Sequence, residues 1–153
     1  MEEAEGREFR PVIRIAGTDI DGTKRLMYGL LRIKGVGFMF ANAVARAAGL
    51  DPYMRCGYLT DEEIKKIEDV LANPAEYGIP GWLFNRRKDL KTGKDLHLIG
   101  TDVTLAQKED IKRLKRIKCW RGIRHALGLK VRGQKTRTTG RKGLTVGVVK
   151  RRT

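Results

Sequence analysis

The sequence predicts a mainly α-helical fold, with a helical N-terminal domain that contains a helix–two-turn–helix element, a small β excursion, and an extended basic C-terminal tail. Apolar residues recur at helical spacings of three and four in several stretches before the tail. Thr60 precedes Glu63 by three residues, which is the pattern of a capping box at a helix N-terminus. The tail is predicted from charge, because residues 111–153 contain 16 Lys or Arg and no Asp or Glu.

Composition divides the chain into three parts. Residues 1–8 are polar and are expected to form a flexible N-terminus. Residues 9–127 contain the periodic apolar positions and are predicted to form the helical domain, whereas residues 128–153 form the basic extended tail. With 153 residues and 41% hydrophobic content, the chain can build one modest core.

The first elements of the predicted domain are a strand and a helix. Residues 9–15 are rich in β-branched side chains and predict a short strand or extended arm. Residues 17–19 are expected to turn the chain, and Asp21 with Gly22 marks a helix start. The helix is predicted over residues 23–33, because its apolar residues share one face. These apolar residues are Leu26, Met27, Leu30 and Leu31.

Lys34, Gly35 and Gly37 lie in a predicted tight hairpin between two helices. Such a hairpin can direct backbone N–H groups and the next helix N-terminus at a phosphate, and Lys34 would add positive charge. A Gly-x-Gly turn also serves simply to reverse the chain, so phosphate binding and a plain turn are both open interpretations. The following helix is predicted over residues 38–48, with Gly49 as its C-terminal stop.

The middle of the chain predicts one helix and the β excursion. The helix begins at the capping box of Thr60 and continues to Asn73, where Pro74 ends it. The β excursion is predicted as two strands across residues 82–99, with a reversal at residues 91–94.

Two aromatic residues, Trp82 and Phe84, stand next to Arg86, Arg87 and Lys88. One interpretation is an RNA contact, in which the rings stack on bases and the cations face phosphates. The other interpretation places both rings in the core and leaves the cations as a solvated rim. The sequence favours neither.

The helix–two-turn–helix element is predicted just before the tail. Thr104 with Gln107 forms a second possible capping box, which predicts a helix that continues to about Cys119. One face of this helix is apolar and the other is basic. Gly122 is expected to break it, and residues 123–127 to form a further short helical piece.

The tail has the composition of a segment that binds a polyanion. Its positive charges repel one another until a polyanion neutralises them and condensed counterions are released. Arg offers forked donors to phosphate, and Thr and Gln add contacts to phosphate and sugar. Glycine residues such as Gly133 let the backbone approach a surface closely. A solvated tail that only aids solubility is the alternative, but it would not need recurrent Gly and Thr.

The sequence lacks the signals that mark other classes of protein. Cys56, Cys119, His97 and His125 are spaced unlike a zinc site, so neither a metal nor another cofactor is expected. No nucleophile–base arrangement or Walker loop is present, so we predict no catalytic residue and no enzymatic activity. The acidic N-terminus and the lack of a long apolar run predict a cytoplasmic protein without a membrane partner. A stand-alone DNA or RNA binder and a polybasic membrane-surface protein are the alternatives.

Two motifs carry a resemblance to a known family. Residues 121–125 read RGIRH and residues 131–134 read VRGQ, and together they resemble small-subunit ribosomal protein thirteen of the archaeal and eukaryotic type. The segment from Lys135 to Val148 is similar to the tail of that branch, and weaker matches extend the resemblance over roughly residues 9–149.

The resemblance implies a ribosomal function and a set of partners. It implies binding to small-subunit rRNA in the head, contact of the tail with tRNA in the peptidyl site, and pairing with small-subunit protein nineteen. It also implies an intersubunit bridge to large-subunit protein five through the N-terminal part, so residues 9–127 would bind both RNA and protein. From charge and resemblance together, the expected RNA-binding residues are Lys34, Gly35, Gly37, Arg86, Arg87, Lys88, Arg121, Gly122, Arg124, His125, Arg132, Gly133, Gln134, Lys135, Thr136, Arg137, Thr138, Arg141, Lys142, Lys150, Arg151 and Arg152.

Overall fold

The structure, a computed structural model, describes residues 8–140. The predicted flexible N-terminus lies almost entirely outside the described residues, as do five of the expected RNA-binding residues. These five are Arg141, Lys142, Lys150, Arg151 and Arg152. The chain divides into two compact units, which we call unit 1, ending at Leu105, and unit 2, beginning at Ala106. The predicted start of the tail at residue 128 remains a prediction.

Unit 1 begins with a β-hairpin. Strand β1 (Val12–Ile15) pairs antiparallel with strand β2 (Thr18–Asp21), so the predicted first strand is confirmed. The turn predicted at residues 17–19 is wrong, because residue 18 already belongs to β2. The turn residues are Ala16 and Gly17, both with positive φ of 47° and 72°. Two such residues match the twist of paired strands, but the sequence lacks the Asn-Gly signal that usually reveals this turn.

The first helix, α1 (Leu26–Leu30), is shorter than the helix predicted over residues 23–33. Residues before it form a local turn instead, in which the backbone N–H and the hydroxyl of Thr23 donate to Asp21 Oδ1 at 3.0 and 2.7 Å. An Asp side chain that bonds the backbone two residues on offers an alternative to the helical hydrogen bond, so the helix starts later.

The next two helices agree closely with prediction. They are α2 (Phe38–Ala47) and α3 (Asp61–Ala72). Gly49 follows α2 in the left-handed conformation, with φ of 73°. The capping box is confirmed, because Glu63 N donates to Thr60 Oγ1 at 3.3 Å and Thr60 N donates to Glu63 Oε2 at 2.9 Å.

The core of unit 1 lies between the β1–β2 hairpin and the helices α1, α2 and α3. Burial of each large apolar side chain contributes roughly 1.5–3 kcal/mol. Burial also raises the pKa of the Cys56 thiol to about 11, so this residue is a neutral core side chain. The largest fully buried residues are Ile15, Ile20, Leu26, Leu30, Ile33, Ile67, Leu71, Val44, Val70 and Cys56.

The two strands predicted across residues 82–99 are wrong. The only strand-like pairing there is a single antiparallel bridge, in which Arg86 and Leu96 exchange backbone hydrogen bonds of 3.1 and 2.8 Å. The small β element of the fold is therefore the hairpin of β1 and β2.

Carboxylates explain why the bridge does not extend into strands. Lys88 has a positive φ of 48°, and its N–H donates to Asp95 Oδ1 at 2.7 Å. A positive φ is incompatible with a regular strand, so the ladder stops there. The predicted reversal is confirmed, because Gly93 has φ of 70° and its N–H donates to the Asp89 carbonyl at 2.7 Å.

The longest helix, α4 (Gly100–Arg116), contains the division between the two units. The predicted helix start at Thr104 is wrong, because α4 begins earlier. The Thr104 hydroxyl instead accepts a hydrogen bond of 2.7 Å from Lys34 Nζ. Within residues 8–140, no helix is long and apolar enough to cross a membrane.

The second helix of the helix–two-turn–helix element is α5 (Trp120–Ala126). Lys118 has φ of 56° in the connection, and the Cys119 thiol caps α5 by accepting from Gly122 N at 3.4 Å. The prediction that Gly122 breaks a helix is wrong, since it is buried inside α5. A Cβ at Gly122 would overlap the Leu114 carbonyl oxygen, so this glycine is required by the close approach of α5 to α4.

Candidate nucleic-acid interface

The charge of the protein is divided unequally between the units. Residues 1–105 contain 16 Lys or Arg and 16 Asp or Glu, so they carry no net charge. Residues 106–153 therefore carry the whole excess of +15. A polyanion is attracted to unit 2 before any specific contact is considered.

In unit 2, the end of α5 fixes the beginning of the tail. Arg124 Nε donates to the Lys130 carbonyl at 2.8 Å, and Leu129 N donates to the Arg124 carbonyl at 2.9 Å. The Arg124 guanidinium also lies 5.8 Å from the centre of the Trp120 ring. Gly128 has φ of 69° and turns the chain between these contacts. Arg124 therefore brings α5 and the first tail residues together.

The other predicted residues of α5 take different positions. Arg121 is exposed and can face a partner, whereas His125 is partly buried. Gly122 is buried against α4, so its role in the structure is packing. Contact of Gly122 with RNA is therefore not favoured by its position.

From residue 128 to residue 140 the chain forms no helix or strand, as the sequence predicts for a tail. Turns are held locally, since Gln134 Oε1 accepts from Arg132 N at 3.0 Å and Thr139 Oγ1 donates to the Lys135 carbonyl at 2.6 Å. Gly133 has a positive φ of 75°. The predicted residues of this stretch are all exposed, so the tail presents its polar and cationic side chains outward. They are Arg132, Gly133, Gln134, Lys135, Thr136, Arg137 and Thr138.

In unit 1, the hairpin at residues 34–37 is held by the first residues of α4 and by Leu98 just before it. Lys34 Nζ bonds Thr104, and the Lys34 carbonyl accepts from Gly100 N at 2.7 Å. Gly35 has φ of 101°, and a Cβ there would overlap the Leu98 carbonyl oxygen. Packing alone thus accounts for Gly35. Gly37 is exposed at the N-terminus of α2, so phosphate binding by this hairpin remains a prediction, best placed at Gly37.

Asn85 and His97 connect the hairpin at residues 34–37 to the segment of residues 84–98. Asn85 Nδ2 donates to the carbonyls of Leu98 at 2.7 Å and Gly35 at 3.4 Å, and its Oδ1 accepts from Leu98 N at 2.9 Å. The His97 ring stacks on Phe40 with a centroid distance of 3.5 Å. Burial lowers the pKa of His97 to about 4, and a hydrogen bond with the Gly35 backbone opposes the shift. His97 is therefore a neutral packing residue near pH 7.

The three predicted cations at 86–88 have unequal roles. Arg86 Nε forms an ion pair of 2.8 Å with Asp89, while Arg87 and Lys88 are exposed. The Arg86 hydrogen bond is the main cause that lowers the pKa of Asp89 to about 2, and bonds from Thr92 and Lys91 contribute. Arg86 thus stabilises the loop, and the other two cations are presented to solvent.

The two aromatic residues of this loop occupy different environments. Phe84 is 7% exposed and belongs to the core, as the second interpretation expects, whereas Trp82 is 67% exposed, so an RNA contact through its ring remains a prediction. Trp120 is 72% exposed and is not among the predicted RNA-binding residues, although its spacing of four from Arg124 is that of a helical pair. Among residues 8–140, no group of His, Cys, Asp and Glu side chains is arranged to hold a metal ion.

The chain is similar over most of its length to known proteins. The family described as ribosomal protein S13/S18 matches residues 14–142. Small ribosomal subunit protein uS13 of Staphylothermus marinus is 64% identical, over 95% of this chain and 97% of its own length. The protein of that name from Methanocaldococcus jannaschii is 57% identical over 95% and 97% of the two chains. The one from Saccharolobus solfataricus is 49% identical over 95% and 88%.

Proposed function

Because the chain belongs to the ribosomal protein S13/S18 family, we propose that it is a structural constituent of the small-subunit head that binds small-subunit rRNA, contributes to an intersubunit bridge and contacts peptidyl-site tRNA. It is an archaeal-type ribosomal protein of the small subunit, and so it takes part in translation and binds RNA. Its relatives are named as ribosomal proteins and none as an enzyme. We also propose that it works in cytoplasmic ribosomes.

The observation that carries the RNA-binding proposal is the confinement of the net charge of +15 to unit 2. Between residues 130 and 137 this unit presents its tail cations to solvent, and Arg124 fixes where the tail leaves α5. A cationic segment with a defined exit and recurrent glycine suits close contact with an RNA backbone. We assign the α5 end and the nearer tail residues to rRNA, and the farther tail to tRNA in the peptidyl site.

Protein partners are assigned to the domain rather than the tail. We propose small-subunit protein nineteen as the neighbour in the head and large-subunit protein five as the partner across the bridge. The N-terminal turn of α3 is suited to a basic partner surface, because it carries three acidic residues. Asp61 pairs with Arg10 and Glu63 closes the capping box, so Glu62 is the acid of this turn that can face a partner at no structural cost.

Sedimentation tests the ribosomal function. The tagged protein, expressed in an archaeal host, should migrate with the small subunit and stay there through a moderate salt wash that removes loosely bound basic proteins. A stand-alone nucleic-acid binder would instead spread over free RNA or DNA and leave the subunit in the wash. That distribution would contradict the proposal.

Charge reversal at Glu62 tests the bridge. Glu62→Lys should weaken association of the two subunits by about 2- to 10-fold at low salt, because a like charge would then face the basic partner. Light scattering of purified subunits measures this, with Glu76→Lys as the control at another exposed acid of unit 1. Equal association for both variants and the wild type would remove Glu62 from the bridge.

A further inference from the structure

The loop of residues 81–95, which we call the Trp82 loop, is organised by two carboxylates. Asp89 is buried and accepts hydrogen bonds from Arg86 Nε and from the N–H groups of Lys91 and Thr92. The Asp95 carboxylate binds the other side of the loop through the Lys88 N–H. The Trp82 loop is therefore ordered by internal bonds although it lacks a β-ladder.

The Asp95 carboxylate lies near the beginning and the middle of the loop. Its Oδ1 accepts from Lys88 N at 2.7 Å, and its Oδ2 lies 3.3 Å from the position that a Cβ on Gly81 would occupy. Gly81 begins the short 3-10 turn Gly81–Leu83 that carries Trp82. The turn that carries Trp82 and the backbone of Lys88 therefore both lie close to the Asp95 carboxylate.

The charge of the Trp82 loop differs from that of the rest of unit 1. The loop contains five Lys or Arg and two Asp, whereas the remainder of unit 1 has an excess of acids. Both carboxylates are engaged inside the loop. The exposed side chains of Arg87, Lys88 and Lys94 consequently leave the outer surface positive.

We propose that the Trp82 loop is a second RNA-binding site, which takes an unpaired nucleotide. The Trp82 ring stacks on the base, and Arg87 and Lys88 contact the flanking phosphates. An exposed aromatic ring that shares a short loop with exposed cations is suited to single-stranded RNA, because every unstacked base has a face to offer. This inference rests on the proposed function, since it presupposes an RNA partner, and it adds a site that is separate in sequence from the tail.

Fluorescence of Trp82 in the full chain tests the site directly. In a Trp120→Phe background, Trp82 is the sole tryptophan, so its quenching reports the loop even when the tail supplies most of the affinity. A short single-stranded RNA should quench the fluorescence, and an RNA duplex of the same length should not. Equal quenching by both RNAs, or quenching by neither, would overturn the proposal.

Substitutions then measure the contribution of the loop. Trp82→Ala should lower affinity for the single-stranded RNA by about 5- to 150-fold, because stacking is worth about 1–3 kcal/mol per base. Arg87→Ala with Lys88→Ala should lower both the affinity and its dependence on salt. The matched controls are Tyr77→Ala, an exposed ring of unit 1, and Lys65→Ala with Lys66→Ala, two exposed cations of α3. Losses in the controls as large as in the loop variants would contradict a specific site.

A photoreactive residue at position 82 distinguishes RNA from a protein partner in purified small subunits. Crosslinking to rRNA is expected, with position 77 as the control. Crosslinking to a protein, or no crosslink in subunits that contain the chain, would refute the site. Subunits that lack the chain would instead contradict the proposed function, and the oligonucleotide titration would still decide whether the loop binds RNA.

Discussion

Residues 8–105 of unit 1 bury nineteen apolar side chains, all between Ile13 and Phe84, whereas residues 106–140 of unit 2 bury only Gly122. The net charge has the opposite distribution, with none in unit 1 and +15 in unit 2. Burial of apolar surface can therefore stabilise unit 1 without a partner. The described part of unit 2 gains little from burial and its charges repel one another, so we expect the favourable free energy of its tail to come from neutralisation by RNA.

Removal of the tail should produce the largest effect. Ending the chain after Gly128 removes nine Lys or Arg, and the log–log slope of RNA affinity against salt should flatten by about 0.7–0.9 for each phosphate that the protein no longer neutralises. Unfolding of unit 1 should be unaffected. RNA affinity over a salt series measures the slope, with Arg132→Lys plus Arg137→Lys as the control that retains charge. An unchanged slope after truncation would show that the tail binds no phosphate.

The same substitution of leucine by alanine, made once in each unit, should show that burial stabilises unit 1 much more than unit 2. Leu30→Ala in the core should lower the free energy of unfolding by about 2–5 kcal/mol, because it leaves a cavity. Leu127→Ala, at a residue that is 67% exposed, should change it by less than about 0.5 kcal/mol. Urea denaturation followed by circular dichroism compares them. Similar losses for the two variants would mean that unit 2 has a core of its own in solution.

Gly122→Ala tests the one buried position among residues 106–140. The added Cβ would overlap the Leu114 carbonyl, so we expect the packing of α5 on α4 to be destabilised by about 1–3 kcal/mol. Hydrogen exchange of α5 amides measures it. Ala126→Val is the control, since it adds bulk at an exposed position of the same helix. Equally slow exchange of α5 in both variants would show that the added methyl group is accommodated and that the close approach of the helices does not require glycine.

The smallest expected effect is a pH dependence confined to unit 1. The pKa of His97 is about 4 in the folded chain, below its ordinary value of 6.5, so the unfolded state binds a proton first as pH falls. The contribution of neutral His97 to the stability of the folded chain is complete above about pH 6.5 and is lost as pH falls towards about 4. Between about pH 7 and pH 5 the free energy of unfolding should fall on the order of 1 kcal/mol more in the wild type than in the His97→Gln variant. Parallel stability curves for the two proteins would show that His97 is not buried in solution.

Several features of the fold follow from short stretches of sequence. The capping box at Thr60, the stop at Gly49 and the absence of helix or strand in residues 128–140 could all be predicted, because local spacing and composition govern them. The charge asymmetry and the family resemblance could also be read from the sequence, and both indicated RNA as the partner. In the candidate site, the exposure of Trp82 beside a buried Phe84 could not be predicted, since both residues are aromatic and adjacent to the same cations.

By itself, the sequence determined the helical class, the chain position of the positive charge and the family to which the protein belongs. Only the tertiary structure decided that Gly122 packs inside α5. It also decided that the Thr104 hydroxyl accepts a hydrogen bond from Lys34, seventy residues earlier in the chain. Helical spacing and charge act over one or two turns of chain. Close approach of backbones and bonds between distant side chains depend on how the elements fold together, which no local pattern encodes.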